Sequence, residues 1–377
     1  MDEFRHKYVL MKDKMEDMNP ETREMVEILE NESPAIRIGI VANYSDGYET
    51  RMLLTPEACG MLTSGGIKVC MESGAGSDIS FPDEKYAEYG VRIVTRDEAL
   101  SAPVVLCYTP LRAKDIKKMQ KGAALLCMMD NILFEHSTVK ALLDKKIATG
   151  CFDNMYSHND EPVFANIIDE IDGRAAIMYA EEALSYLGGG KGVLLAGVAG
   201  INPCEVLIIG MGNDMISAAK AGAATGARVT LMDNDTSTLQ VAKDLTGPMV
   251  EAIAVHPRVL YNRVKTADVI ILGNTTRPFE FPNNLKAAMK ENAYVLDMNE
   301  THPSVSVPRT VAMALSTALV NFFDEMAIKN GFYGMVATTP GVQFGIVTYE
   351  GKLVDKLIGS YLGLPSVDIN VMLSAAN

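Results

Sequence analysis

Two glycines, an asparagine and a distant aspartate are the first residues of this chain whose types and spacing could do chemistry. The stretch from Glu205 to Asp235 reads EVLIIGMGNDMISAAKAGAATGARVTLMDND. Gly210 and Gly212 follow an apolar run, Asn213 comes next, and Asp233 lies 23 residues after Gly210. Glycines let a backbone approach a pyrophosphate, and a helix start offers unpaired N–H groups at a positive dipole end. A carboxylate at the position of Asp233 takes both hydroxyls of an adenosine ribose and repels a 2′-phosphate. The chemistry is therefore that of a dinucleotide site of the NAD type. Met215 stands where the pattern G-x-G-x-x-G has its third glycine, which leaves an α/β turn that binds nothing as the competing reading. Of the five histidines, His6 and His136 read as surface residues, His158 as a loop residue near the domain crossing, and His256 as a strand end before a proline, while His302 follows the C-terminal end of a nucleotide-domain strand. Ligands meet α/β sheets at such ends, which makes His302 the candidate proton shuttle; a loop histidine bonded to backbone is the alternative.

The elements that must position these residues follow from hydrophobic pattern. Val206 to Ile209 is a continuous apolar run suited to a parallel sheet, and Ser217 to Ala227 is a small-residue helix that can lie close on it. Arg228 to Met232 makes the next strand, and further strands are expected at 252–255, 268–272 and 294–298, with helices between them. Upstream, strands at 36–42, 67–71, 91–94, 104–107, 123–128 and 147–152 alternate with helices, as in a βα-repeat domain. Thr55-Pro56-Glu57 reads as a helix start, Thr capping and Pro first. Asp169 to Leu187 is a long helix that can connect the two halves, and the C-terminal part rejoins the first. The fold class is α/β, with a parallel-sheet βα-repeat domain, a doubly wound parallel-sheet unit after it and an N-terminal helical arm over 1–34.

Composition narrows the functions. The chain has 377 residues, enough for two domains, with 48% hydrophobic and 22% charged residues. A net charge of −14 argues against nucleic acid or an anionic membrane as partner. No signal peptide and no apolar run of membrane-spanning length is read, so a cytoplasmic location is expected. The six cysteines form no CxxC and have no histidine at metal-ligand spacing, which points to buried reduced thiols and no metal.

Longer motifs carry a resemblance. Arg51 with LLTP, the segment ESGAGSDISFPDEKYAEYGVRIV, and the block EIDGRAAIMYAEEALSYLGGGKGVLLAGVAGINPCEVLIIGMG together resemble alanine dehydrogenase and the NAD-binding component of nicotinamide nucleotide transhydrogenase. The block with GRAA, GGKGVLL and GVAGINP is far more specific than the glycine pair. The resemblance implies two Rossmann-like doubly wound parallel-sheet domains with a cleft between them that holds the active site: a discontinuous substrate domain, residues 35–165 and 310–377, and an NAD-binding domain, residues 166–309. It implies hydride transfer between nicotinamide and a small amino acid, 2-oxo acid or imine, by an oligomer of identical chains.

By the same resemblance Arg51 holds the substrate carboxylate, with pairing to Glu49 or Glu57 at the surface as the alternative. The family's lysine segment V-K-E-P is here Cys107-Tyr108-Thr109-Pro110, so Tyr108 lines the substrate site without a charge. The family's catalytic histidine is replaced within MMDNIL by Asn131, or its neighbour Asp130, and an amide cannot act as a general base. Its I-D-Q-G-G aspartate corresponds to Thr301, with Glu300 and His302 close enough to move protons instead. Its phosphate-side serine is Asp169. These changes leave two readings open: an oxidoreductase with altered catalytic positions, and a catalytically silent homologue that binds a nucleotide or a small acid. A transhydrogenase component is a weaker third.

Overall fold

The computed structural model describes residues 36–45, 47–128, 134–273 and 281–375. The expected N-terminal arm and Asn131 lie outside the described residues.

Six parallel strands open the chain: β1 (Arg37–Ile40), β2 (Lys68–Glu72), β3 (Arg92–Val94), β4 (Val104–Leu106), β5 (Ala124–Cys127) and β6 (Ala148–Cys151). Five more follow: β7 (Glu205–Ile209), β8 (Arg228–Asp233), β9 (Val250–Ala254), β10 (Val269–Leu272) and β11 (Tyr294–Asp297). A short hairpin, β12 (Ile346–Tyr349) and β13 (Lys352–Leu353), comes last. The first sheet has the order β13-β12-β6-β5-β4-β1-β2-β3, and the second β11-β10-β7-β8-β9. Every pairing within β1–β6 and within β7–β11 is parallel, and β12 joins β6 antiparallel. In each sheet the strand order reverses once, between β1 and β4 and between β7 and β10. Ligands of doubly wound folds settle outside the carboxyl ends of the strands at such a reversal.

The apolar runs become strands because both faces of each sheet are covered. Ile38, Leu106 and Leu126 face one core, while Val105, Leu125 and Cys127 face the other. In the second sheet Val206 and Ile208 pack on one side and Leu207 and Ile209 on the opposite side. Four helices matter for the sites: α1 (Pro56–Ser64), α2 (Val163–Leu184), α3 (Asn213–Ala224) and α4 (Pro308–Ile328). Thr55 caps α1 with its side chain accepting from the N–H of Ala58, and Pro56 takes the first turn, where its missing N–H costs nothing. Helix α3 starts four residues earlier than its small-residue run, at Asn213, directly from the glycine turn.

Helix α4 is long and apolar enough to cross a membrane, contrary to the expectation that no run reached that length. Val311, Leu315, Leu319, Phe323 and Met326 on its inner face are buried in the first sheet's core. Burying each such side chain contributes about 1.5–3 kcal/mol, which accounts for the apolar composition without a bilayer. The hairpin β12–β13 adds to the edge of the first sheet beside β6. All six cysteines are free thiols, five of them buried.

Candidate functional site

The loop after β1 carries Arg51, and Tyr108 lies two residues beyond β4, so the reversal point of the first sheet brings the two together. The guanidinium carbon of Arg51 stands 4.5 Å from the centre of the Tyr108 ring. Both side chains are buried, Arg51 at 8% exposure. Arg51 does pair with Glu49, yet the pair is internal and not the surface contact considered above. Arg51 Nε donates to Glu49 Oε1 at 2.8 Å, and Nη2 donates to Glu49 Oε2 at 2.7 Å. The Arg51 backbone N–H also donates to Glu49 Oε1, at 2.8 Å. The third nitrogen, Nη1, donates to Ser304 Oγ at 2.9 Å. Burial alone pulls the Arg51 pKa down, and the bonds to Glu49 more than reverse this, so the group stays firmly cationic. Burial also drives the Tyr108 phenol well above its usual range, which makes it a neutral hydrogen-bonding wall. Beside them lies a cavity of about 10 Å³, lined by Ile40, Asn43, Arg51, Met52, Ala75 and Tyr108. That is room for about one water.

Ser304 was not foreseen from the sequence, and neither was its partner. Its backbone N–H donates at 2.7 Å to Oδ1 of Asp172, a buried residue of α2. Thr50, next to Arg51, bonds the carbonyl of Val305. The loop after β1, the 302–307 segment and α2 are thus stitched at one point. Asp172 sits in the DEIDGRAA block that carries the resemblance, so the signal was present without a role attached. His302 lies two residues before Ser304, with an exposed side chain. Its carbonyl accepts from the N–H of Val305 at 3.1 Å. Glu300 is exposed as well, its N–H bonded to the Asp297 carbonyl at 3.3 Å.

At the reversal point of the second sheet, Gly210 follows β7 with φ 113°, a value that side chains rarely tolerate. Gly212 has φ 171° and ψ 169°, extended backbone open to any residue, so only the first glycine is required for its conformation. What restricts Gly212 is space: a Cβ there would stand 2.3 Å from Asp214 Oδ1. Asn213 opens α3 and bonds Asn166 of α2 through its side-chain amide. Met215 is fully buried, and Gly273 just past β10 makes room for it, since a Cβ on Gly273 would lie 2.5 Å from the Met215 sulfur. The glycine missing at Met215 has in effect moved across to the neighbouring strand. Asp233 ends β8 as expected, but it is buried at 1% exposure, with Oδ1 accepting from the N–H of Asp235 at 2.8 Å.

Helix α2 crosses α3 closely enough that a Cβ on Gly173 would meet the Asp214 carbonyl at 2.1 Å. Asn166, Asp169 and Gly173 share one stripe of α2, spaced three and four apart, against the start of α3. This puts Asp169 beside the glycine turn, where burial first, then Asp214, Asp172 and Asp153, push its carboxyl up to about 7. The Asp214 carboxyl is raised too, chiefly by burial, while its bond to the Met215 N–H and the nearby His302 act in the opposite direction. A turn with positive φ, a helix N-terminus and an acidic strand end fit a dinucleotide, on condition that Asp169 sheds its charge. A wider hollow of about 370 Å³ around Glu205, Asn262 and Thr266 lies at the opposite end of β7 from that turn.

Known proteins are similar to this chain in sequence and fold. The family model Alanine dehydrogenase/PNT, N-terminal domain, matches residues 39–165, and Alanine dehydrogenase/PNT, C-terminal domain, matches residues 176–298. An alanine dehydrogenase of Methanococcus maripaludis is 26% identical over 351 residues, covering 84% of this chain and 94% of that protein. One of Mycobacterium tuberculosis is 25% identical over 371 residues, covering 88% and 98%. Among solved structures, an L-alanine dehydrogenase superposes with a TM-score of 0.78 at 21% identity, over 87% of this chain and 99% of that one. A transhydrogenase from Sinorhizobium meliloti gives 0.69 at 18% identity, over 85% and 99%. With both domain models matched in order over more than half of its length, this chain belongs to the alanine dehydrogenase/PNT family.

Proposed function

We propose that the protein is an NAD-dependent oxidoreductase of the alanine dehydrogenase type, transferring a hydride between nicotinamide and a small amino acid, 2-oxo acid or imine. The observation that carries the reading is the buried, stacked Arg51 at the reversal point of the first sheet, in a chain whose second sheet offers a glycine turn at its own reversal point. Gly210, Gly212 and Asn213 are assigned to the pyrophosphate side and Asp233 to the adenosine ribose. For Asp233 this requires its carboxylate to exchange the Asp235 N–H for ribose hydroxyls. NAD, when bound, supplies the hydride acceptor.

The remaining roles belong to the chain's own side chains. Arg51 supplies paired donors for a carboxylate, and Tyr108 holds the guanidinium plane and excludes water from one face. His302 is assigned the proton movement: it is tethered two residues from Ser304, and its charge is felt at Asp214. Glu300 serves the same purpose only if its segment turns inward from the surface. Asn131 is assigned to the pocket wall. The residues 35–165 with 310–377 form the substrate domain of this proposal, and 166–309 the nucleotide domain.

A second reading, a catalytically silent binder of a nucleotide or small acid, is favoured by one observation: the room beside Arg51 is that of a single water. NADH titration by fluorescence, with NADPH as control, followed by absorbance with pyruvate, glyoxylate and ammonia, separates the two. Saturable NADH binding with amine-dependent oxidation is the expected result. Binding without consumption across those acids selects the silent reading, and no NADH binding overturns the oxidoreductase and leaves of the silent reading only a binder of small acids.

A further inference from the structure

The geometry points to Glu49 as a positioning residue: it holds one edge of Arg51 permanently, so that a substrate carboxylate is received end-on by Nη1 and Nη2, next to the Ser304 hydroxyl. This rests on the oxidoreductase reading only for the identity of the carboxylate.

A guanidinium carries five N–H donors in a fixed fork. Three are spoken for: Nε–H and one on Nη2 by Glu49, and one on Nη1 by Ser304. Tyr108 covers a face of the plane. One N–H each on Nη1 and Nη2 is left, and neither lies on the side-on edge that Glu49 fills; with Ser304 on the Nη1 hydrogen turned toward Cδ, as this proposal has it, both lie on the edge remote from Nε. A carboxylate could instead displace Glu49 and take the side-on edge, which would make Glu49 an internal competitor. Hydrogen-bond counting decides between the two. Glu49 accepts three N–H groups, two from the side chain of Arg51 and one from its backbone. An incoming carboxylate on that edge would regain two, lose its freedom of movement, and leave Glu49 in a nearly enclosed place without those partners. Displacement therefore loses, and Glu49 stays.

Two further contacts support a fixed fork. Asn43 Nδ2 donates to the Arg51 carbonyl at 2.8 Å, and Thr50 anchors the same loop to Val305. Ser304 is held through its N–H by Asp172, so its hydroxyl is placed by α2 and not by the loop. The cost of this arrangement is electrostatic. Glu49 cancels much of the charge of Arg51, and Tyr108 contributes none, so the end-on edge attracts an anion by directed bonds more than by net charge. Ligands with a planar carboxylate fit, whereas a bulkier tetrahedral anion does not match a two-pronged edge.

The test uses the full-length protein and oxamate, a planar 2-oxo acid isostere, titrated calorimetrically with and without NADH. Glu49→Gln is expected to weaken oxamate binding by about tenfold or more, because a loosened fork misplaces both donors. NADH affinity should stay unchanged. Glu49→Asp keeps the charge but is one methylene too short to reach both nitrogens, and should also be weakened. Where turnover is measurable, both variants should raise KM with kcat nearly intact. Oxamate binding that tightens in Glu49→Gln would show Glu49 to be a competitor and overturn the proposal. Unchanged binding in Glu49→Asp would assign the effect to charge alone and overturn it too. Should Glu49→Gln lose its folded circular dichroism spectrum, Ser304→Ala gives the independent readout, with weaker oxamate binding expected and unchanged binding counting against the end-on site. Failure of the wild type to bind NADH, with oxamate still bound, removes the oxidoreductase reading and leaves the positioning role standing.

Discussion

Asp169 shows how one side chain can set the conditions under which the nucleotide site works. An aspartate in an unfolded chain titrates near about 4. In the folded protein burial, then Asp214, Asp172 and Asp153, lift this carboxyl to about 7. Between those values the folded state holds a proton that the unfolded state has released. Stability must therefore fall as pH rises through this window and level off above it. In Asp169→Asn that contribution disappears, and the thermal midpoint, followed from pH 5 to pH 8, should decline less than in the wild type. The same substitution should tighten NADH binding at pH 8 and leave it nearly unchanged at pH 5.5, since a charged Asp169 beside the glycine turn repels a pyrophosphate. Parallel pH curves for the two proteins would mean that Asp169 does not titrate in this range. The identity of residue 169 was legible in the sequence as a departure from the family's serine. Its proton affinity was not, because it depends on three carboxylates from α2, α3 and the 152–154 turn. The Arg51 fork follows the same logic: the two-residue step to Glu49 is visible in the sequence, whereas Ser304 is 253 residues away and leaves no local trace.

At the scale of elements, most of the fold could be read because it rests on short-range pattern. Apolar runs gave strands where both faces of a sheet are covered, and Thr55-Pro56 gave a helix start. Long-range compensation was what escaped. Met215 breaks the glycine pattern, and in isolation it suggests a loosened helix. In the fold Met215 is fully buried, and Gly273 on the adjacent strand end makes the space for it. Restoring the family's glycine by Met215→Gly is therefore expected to destabilise the protein, not improve it. Truncating a buried Met costs about 2–5 kcal/mol, to which a helical glycine adds about 1 kcal/mol. Chemical denaturation would register this as a lower midpoint at unchanged slope. A variant as stable as the wild type would show that Met215 does not fill this contact, and the Gly273 compensation would then have to be given up.

For the whole molecule, the block that carries the family resemblance also has an unusual surface. Tyr186 is 84% exposed, Leu187 98%, Leu194 70% and Ile201 68%, and Val198 pairs with Ile201 in a small antiparallel bridge. Isolated exposed apolar residues are ordinary, but several within one short segment mark an interaction surface. The strand–helix cores need none of these side chains, since the second sheet is already covered on both faces. The charge of the whole chain adds a constraint. At −14 two copies repel at long range, so association has to come from apolar contact of short reach, and salt should strengthen it by screening that repulsion. The oligomer implied by the resemblance is thus expected to form through residues 186–201. Light scattering after size exclusion should give a mass above that of one chain, rising or holding as salt is added. Leu187→Glu combined with Leu194→Glu should shift the protein towards the monomer while NADH binding persists, because both positions lie past the end of α2, and the Leu194 carbonyl meets Cys204 at the start of β7, the opposite end of that strand from the glycine turn. A wild-type protein that runs as a monomer at all concentrations would remove the oligomer. A double variant that assembles as well as the wild type would move the interface elsewhere on the molecule.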